Sequence, residues 1–213
     1  MGEFFQALGH RRKTQAEVLE ADTRDLLTDK FPRNKSGLGR NSVDLVVTSP
    51  PYGDSHTTVA YGQFSKYSLL WLGYSKERAL EVDKQSIGGR RNSVALESRT
   101  LEKTVQKIRG KKRAEEVCDF FIDLHRCLEK ISGVMKSGEY ACFVLGNRTV
   151  SKVKVPTDKI LVEIGKELRL EHKTTIQREI PSKRIPWKSS PSNIPGDKVD
   201  TISKESIVVL NKV

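Results

Sequence analysis

The sequence predicts an α/β domain whose mostly parallel sheet is closed by an antiparallel pair. Three observations carry that prediction. A near-continuous apolar run, "VDLVVTS", stops at two prolines, as expected of a strand buried on both faces of a parallel sheet. Strand-like and helix-like segments alternate along most of the chain, the pattern of a layered α/β fold. The last two strand-like segments, "HKTTIQREI" and "ESIVVLNKV", are joined by a Pro- and Ser-rich excursion over 181–204 without helical periodicity, which suggests antiparallel closure. With 213 residues, 36% of them hydrophobic, the chain can form one domain around a sizeable core.

The elements follow in order. Residues 16–22, "AEVLEAD", read as a short strand, and "TRDLLTDKF" as a helix that Thr23 can cap. "NKSGLGRNS" is a loop leading into the apolar strand. From Gln63 onward, Phe64, Tyr67, Leu70, Trp71 and Tyr74 recur at helical spacing, a stripe suited to a core, an interface or base stacking. Residues 83–112 form a polar, basic insertion, either loop or partly helical. "RAEEVCDFFIDLHRCLEKIS" is a strongly amphipathic helix with Val117, Phe120, Phe121, Leu124 and Leu128 on one face. "GEYACFVLG" then reads as a strand, and "TDKILVEIGKELRL" as a helix capped by Thr157 or entered through Pro156.

Charge narrows the class of partner. Lys and Arg exceed Asp and Glu by 38 to 27, a net charge of +11 that favours a polyanion, because each neutralised phosphate releases counterions. The excess gathers at Arg90 and Arg91, at Lys111, Lys112 and Arg113, and at Lys183 and Arg184 beside Trp187. These side chains are candidates to grip DNA phosphates, with a solvated basic surface as the alternative. No run reaches the length of a membrane span, and the N-terminus lacks a secretory cleavage pattern. Three cysteines, Cys118, Cys127 and Cys142, make no metal-type spacing and no even disulfide set, so the expected compartment is the reducing cytoplasm. The four histidines, His10, His56, His125 and His172, are scattered and suggest no metal centre; His56, with Asp54, could line a pocket or steady a loop.

The chemistry concentrates where the apolar strand ends, in "TSPPY". The carboxyl end of a parallel strand faces the ligand crevice of an open α/β sheet. Pro50 and Pro51 cannot continue the sheet and lack N–H groups, which leaves nearby carbonyls to face outward beside the Ser49 hydroxyl and the Tyr52 ring. Acceptors next to a stacking ring suit the amino group of a nucleobase. That nitrogen is a poor nucleophile while its lone pair is delocalised into the ring. Two acceptors holding its hydrogens favour a pyramidal nitrogen able to attack an electrophilic methyl group, once the base has left the duplex.

"TSPPY" resembles the catalytic motif of the S-adenosylmethionine-dependent DNA amino-methyltransferases, and "SPPYGDSHTTVAYGQFSKYSLLWLG" is similar to a bacterial restriction–modification group of that family. The likeness runs from about residue 16 to the end. It implies a Rossmann-like methyltransferase fold in which Ser49, Pro50, Pro51 and Tyr52 form the catalytic turn, Ser49 and Pro50 holding the amino group and Tyr52 stacking on the base. It also implies cofactor contacts at Asp22, at the end of the preceding strand, and at Thr48. Family members with Ser at the first motif position are mostly N4-cytosine enzymes; those with Asp are mostly N6-adenine enzymes. C5-cytosine chemistry is disfavoured because that family's nucleophilic cysteine follows proline, whereas these cysteines follow Val117, Arg126 and Ala141.

One part of the family pattern is missing. Its methionine-binding turn, F-x-G-x-G between a strand and a helix, has no counterpart in "SGLGRN", "IGGRR" or "VLGNRT". The 42 residues before Val43 are too few for the absent strand–helix pairs. The expectation is therefore an incomplete fold over 1–213, a catalytic half whose glycine loop comes from a second subunit or a missing segment, with Trp71 or residues 16–22 as partner surface. The competing readings are a non-catalytic DNA-binding or specificity subunit with a degenerate fold, and methylation of adenine, RNA or protein amides.

Overall fold

A four-stranded mixed sheet organises the molecule, in the order β1 (Val43–Thr48), β2 (Met135–Gly146), β8 (Lys204–Lys212), β5 (Leu170–Glu179). The computed structural model describes residues 16–32, 37–53, 61–89, 96–180, 188–189, 199–200 and 202–213. Among the described residues, parallel pairing is confined to β1 and β2, with Val47 opposite Cys142 and Thr48 opposite Phe143. β8 runs antiparallel to both neighbours, with Phe143 opposite Val208 on one side and Ile176 opposite Ile207 on the other. The α/β class and the closing pair β5–β8 are as the sequence predicts. Two short hairpins complete the strands: β3 (Arg148–Val150) with β4 (Val153–Val155), and β6 (Lys188–Ser189) with β7 (Val199–Asp200).

Helices α1 (Tyr61–Trp71) and α2 (Lys76–Gln85) pack on each other and are separated by a turn at Gly73, whose φ of 90° suits a residue without a side chain. α3 (Arg99–Val105) is capped by Ser98, whose hydroxyl accepts from Leu101 N at 3.0 Å. α4 (Lys111–Val134) is the expected long amphipathic helix, and α5 (Thr157–Glu167) is entered through Pro156. Phe120, Phe121, Leu124 and Leu128 of α4 and Ile160, Leu161 and Ile164 of α5 meet Ala141, Phe143, Leu145, Val208 and Leu210 of the sheet. Those sheet residues alternate along their strands, so the core covers one face of the sheet. The basic segment 83–112 is partly helical, and its Leu101 and Ile108 join this core.

Three expectations are corrected. Residues 16–22 pair with no strand: Val18 is 97% exposed, so no apolar face is buried there to reward pairing. The helix expected next shrinks to a 3₁₀ turn at Thr23–Asp25, and its cap is Asp22, not Thr23, the Asp22 carboxylate accepting from Arg24 N at 2.9 Å. This segment is fastened instead by Arg24, which pairs with Asp22 at 2.6 Å and with the buried Asp123 of α4 at 3.0 Å. Last, β1 is not buried on both faces. Among the described residues it is an edge strand, on which Val46 packs against the core while Leu45 and Val47 are 57% and 67% exposed.

Candidate active site

The chain turns out of β1 at Ser49 and runs without regular structure through Pro50 and Pro51 to Tyr52. Two contacts seat this turn against the end of β2. The Ser49 hydroxyl donates to the Val144 carbonyl at 3.2 Å. That commits its hydrogen to the strand and leaves Oγ lone pairs for a ligand, so Ser49 is oriented as an acceptor. The Tyr52 ring lies over Gly146, where a Cβ would stand only 2.5 Å from Tyr52 Cδ2. A side chain at position 146 would therefore expel the ring.

The far end of Tyr52 is held as well. Its hydroxyl donates to Glu205 Oε1 in a short hydrogen bond. Glu205 Oε2 in turn accepts from Arg178, from Nε at 3.0 Å and in a second short bond from Nη2. The Tyr52 hydrogen bond, aided by Arg178 and opposed by burial, holds the Glu205 carboxyl below the usual carboxylate range. Alongside, Ser206 Oγ donates to Asp158 Oδ2 at 2.9 Å and accepts from Gln177 Nε2 at 2.9 Å, while Asp158 N donates to Asn147 Oδ1 at 3.3 Å. The carboxyl ends of β1, β2 and β5, the start of β8 and the N-terminus of α5 thus converge on one polar rim.

Sequence reasoning found the turn but missed its supports. Glu205 and Arg178 are paired residues across β8 and β5, as are Ser206 and Gln177. The signal was the strand pair itself, "TTIQREI" against "ESIVVLN", but the register that aligns Arg178 with Glu205 cannot be read from either segment alone.

Thr48 is the last residue of β1, directly before the turn. Asp22 is not at a strand end: its carboxylate is committed to Arg24, which links it to α4. Lys111, Lys112 and Arg113 are exposed on the first turn of α4. The residues just before that turn adjoin the β3–β4 hairpin that follows β2, where Ser151 Oγ donates to Arg109 O at 3.3 Å. Arg113 also pairs with Glu116 at 3.0 Å. Arg90, Arg91, Lys183, Arg184 and Trp187, with Asp54 and His56, lie outside the described residues.

Trp71 of α1 is 87% exposed and adjoins the exposed Tyr67 and Leu72. The three cysteines are unpaired in disulfides, and burial pushes the Cys127 thiol up to about 12, far from a reactive thiolate. Among the described residues, no group of His, Cys, Asp or Glu could hold a metal ion, and no helix is long and apolar enough to cross a membrane.

No family model matches the chain. It is 38% identical over 180 residues to the type II methyltransferase M.MvaI of Kocuria varians, an alignment covering 78% of this chain and 40% of that protein. The chain thus spans well under half the length of this relative. Among solved structures, a Thermus thermophilus protein assigned to the DNA modification methylases superimposes with a TM-score of 0.42 at 17% identity, over 90% of this chain and 50% of that one. A methyltransferase assignment from Thermoplasma acidophilum superimposes with a TM-score of 0.29 at 16% identity, over 81% and 69% of the two chains.

Proposed function

We propose that this chain is the base-handling half of a site-specific DNA amino-methyltransferase, acting on cytosine N4. The observation that carries the reading is the Ser49–Tyr52 turn at the carboxyl end of β1, its hydroxyl aimed as an acceptor and its ring seated on Gly146. The 38% identity to a type II methyltransferase supports it. The roles of these residues follow from their chemistry. Ser49 Oγ and the Pro50 carbonyl accept from the amino group of a flipped base, Tyr52 stacks on its ring, and the turn presents the nitrogen lone pair to a methyl donor. S-adenosylmethionine would supply that methyl group. The described residues fit it only in part: none forms a glycine-rich strand-to-helix turn for its methionine end, and Asp22 is occupied by Arg24. Donor binding is therefore assigned to a second segment or subunit carrying the F-x-G-x-G turn, and the completed enzyme to the cytoplasm.

The outer edge of β1 is the junction in this proposal. Among the described residues no strand pairs with it, and Leu45 and Val47 stand exposed beside it. An edge strand with exposed apolar side chains is a ready template for another strand. The relative's additional length is the occupant argued for. S-adenosylmethionine should bind weakly or not at all to the chain alone, and tightly once the polypeptide encoded beside it is added. Leu45→Lys with Val47→Lys should abolish that gain while the chain stays folded. Absence of binding in both preparations would favour the degenerate DNA-binding module instead, and assembly of two identical chains through β1 would make a second copy the occupant. Mass analysis of the methylated nucleoside separates N4-methylcytosine from N6-methyladenine and from RNA or protein products.

Lys111, Lys112 and Arg113 are read as phosphate contacts. Changing all three to glutamine should weaken duplex binding to a similar degree on every sequence and flatten the dependence of log K on log salt by about 2–3 units. An unchanged slope would return these side chains to the solvated helix end.

A further inference from the structure

The geometry points to Glu205 as a positioning residue that sets the plane of the Tyr52 ring before a base arrives. This rests on the base-stacking role proposed for Tyr52. A tyrosine at a loop turn ordinarily keeps two soft side-chain torsions, and a stacking platform works only if its plane is fixed. Here the ring is restrained at both ends. Gly146 lets it lie flat on β2, and Glu205 takes its hydroxyl hydrogen.

Glu205 is itself unable to wander. It is buried at the start of β8, in register with Arg178 of β5, whose guanidinium occupies its other oxygen. The carboxylate therefore divides its two oxygens between a cation that anchors it and the phenol that it orients. The strand that carries Glu205 is held independently by the ladders to β2 and β5, so its side chain can be changed without unpairing the sheet. Glutamine keeps an oxygen acceptor for the phenol, whereas alanine removes it. The pair of substitutions separates orientation of Tyr52 from mere filling of space.

The experiment uses the full chain labelled with 3-fluorotyrosine, the Tyr52 signal being assigned by its loss in Tyr52→Phe. Glu205→Ala should move and narrow that resonance, as a released ring samples more orientations, while Glu205→Gln leaves it near the wild-type position. Gly146→Ala should displace the same resonance from the opposite side, with circular dichroism confirming that each variant is folded. Titration with deoxycytidine and deoxyadenosine, followed at the Tyr52 signal, reads the consequence. Glu205→Ala should weaken nucleoside binding about threefold or more, within the range of one compromised base stack, and Glu205→Gln less than about twofold. A Tyr52 resonance unmoved by Glu205→Ala overturns the positioning role, whatever the nucleosides do. A wild-type resonance that responds to neither nucleoside defeats the base-pocket reading of the turn and, with it, any positioning for base stacking.

Discussion

Tyr52→Ala and Ser49→Ala, each introduced into the chain completed by the donor-binding segment proposed above, should lower methylation about 100-fold or more, and duplex binding only slightly. The asymmetry follows from where each free energy resides. On the proposed reading, affinity for a duplex comes mainly from phosphate contacts, which are assigned to other side chains. Rate, on the same reading, comes from positioning the amino nitrogen and from acceptors aimed at charge that develops on it. Removal of one such preorganised polar group is worth about 10²–10³ in rate. Ser49 loses the oriented Oγ that Val144 holds in place, and Tyr52 loses the ring that rests on Gly146. Tyr52→Phe is the informative intermediate: it keeps the stacking surface and discards the bond to Glu205. Methylation unchanged in both alanine variants would remove the turn from the mechanism.

Phe120→Ala should destabilise the chain by about 3–5 kcal/mol, the cost of emptying a fully buried phenylalanine site. Phe120 is fully buried and packs edge-on against Phe121, with ring centroids 5.1 Å apart at 81°. Arg148 sits over its ring, the guanidinium carbon 5.0 Å from the centroid in a cation–π contact. Arg148 is itself almost wholly buried, so the ring is part of what makes that charge tolerable in the interior. Domains of this kind are stable by only about 5–15 kcal/mol, so the variant should unfold at a urea concentration lower by roughly 1–3 M. Phe120→Met, which refills volume without a π face, should recover part of the loss. A midpoint within the scatter of surface substitutions would show that Phe120 does not carry the core.

Much of this architecture was legible because burial imposes a period on sequence. The apolar face of α4 and the apolar stretches of β2 and β8 repeat at helix and strand spacing, and each forms where the spacing places it. The Ser-Pro-Pro-Tyr turn was legible for a different reason: two prolines directly after an apolar strand leave few conformations available. What escaped was relational. The run at residues 43–48 looks like a central strand because its composition suits burial on both faces, but composition cannot say which neighbours are present to bury it. Residues 16–22 have a strand-like makeup and nothing to pair with, so a local ion pair between Asp22 and Arg24 decided their structure. Glu205 and Arg178 were invisible as supports of the Tyr52 turn because 26 residues of intervening chain separate them and only register brings them together.

The bare edge of β1 has a consequence for the chain's colloidal behaviour. An edge strand exposing Leu45 and Val47, with Asp44 as its one charged residue, is a seed for edge-to-edge association between copies. The net charge of +11 opposes that encounter by repulsion between molecules, and dissolved salt screens the repulsion over about 10 Å at 0.1 M. Ionic strength therefore acts twice on the proposed reading: salt that would loosen a hold on nucleic acid also lets exposed edges meet. On the proposed reading, nucleic acid and a β1 partner would act as alternative guardians of solubility, one by coating the charge and the other by closing the sheet.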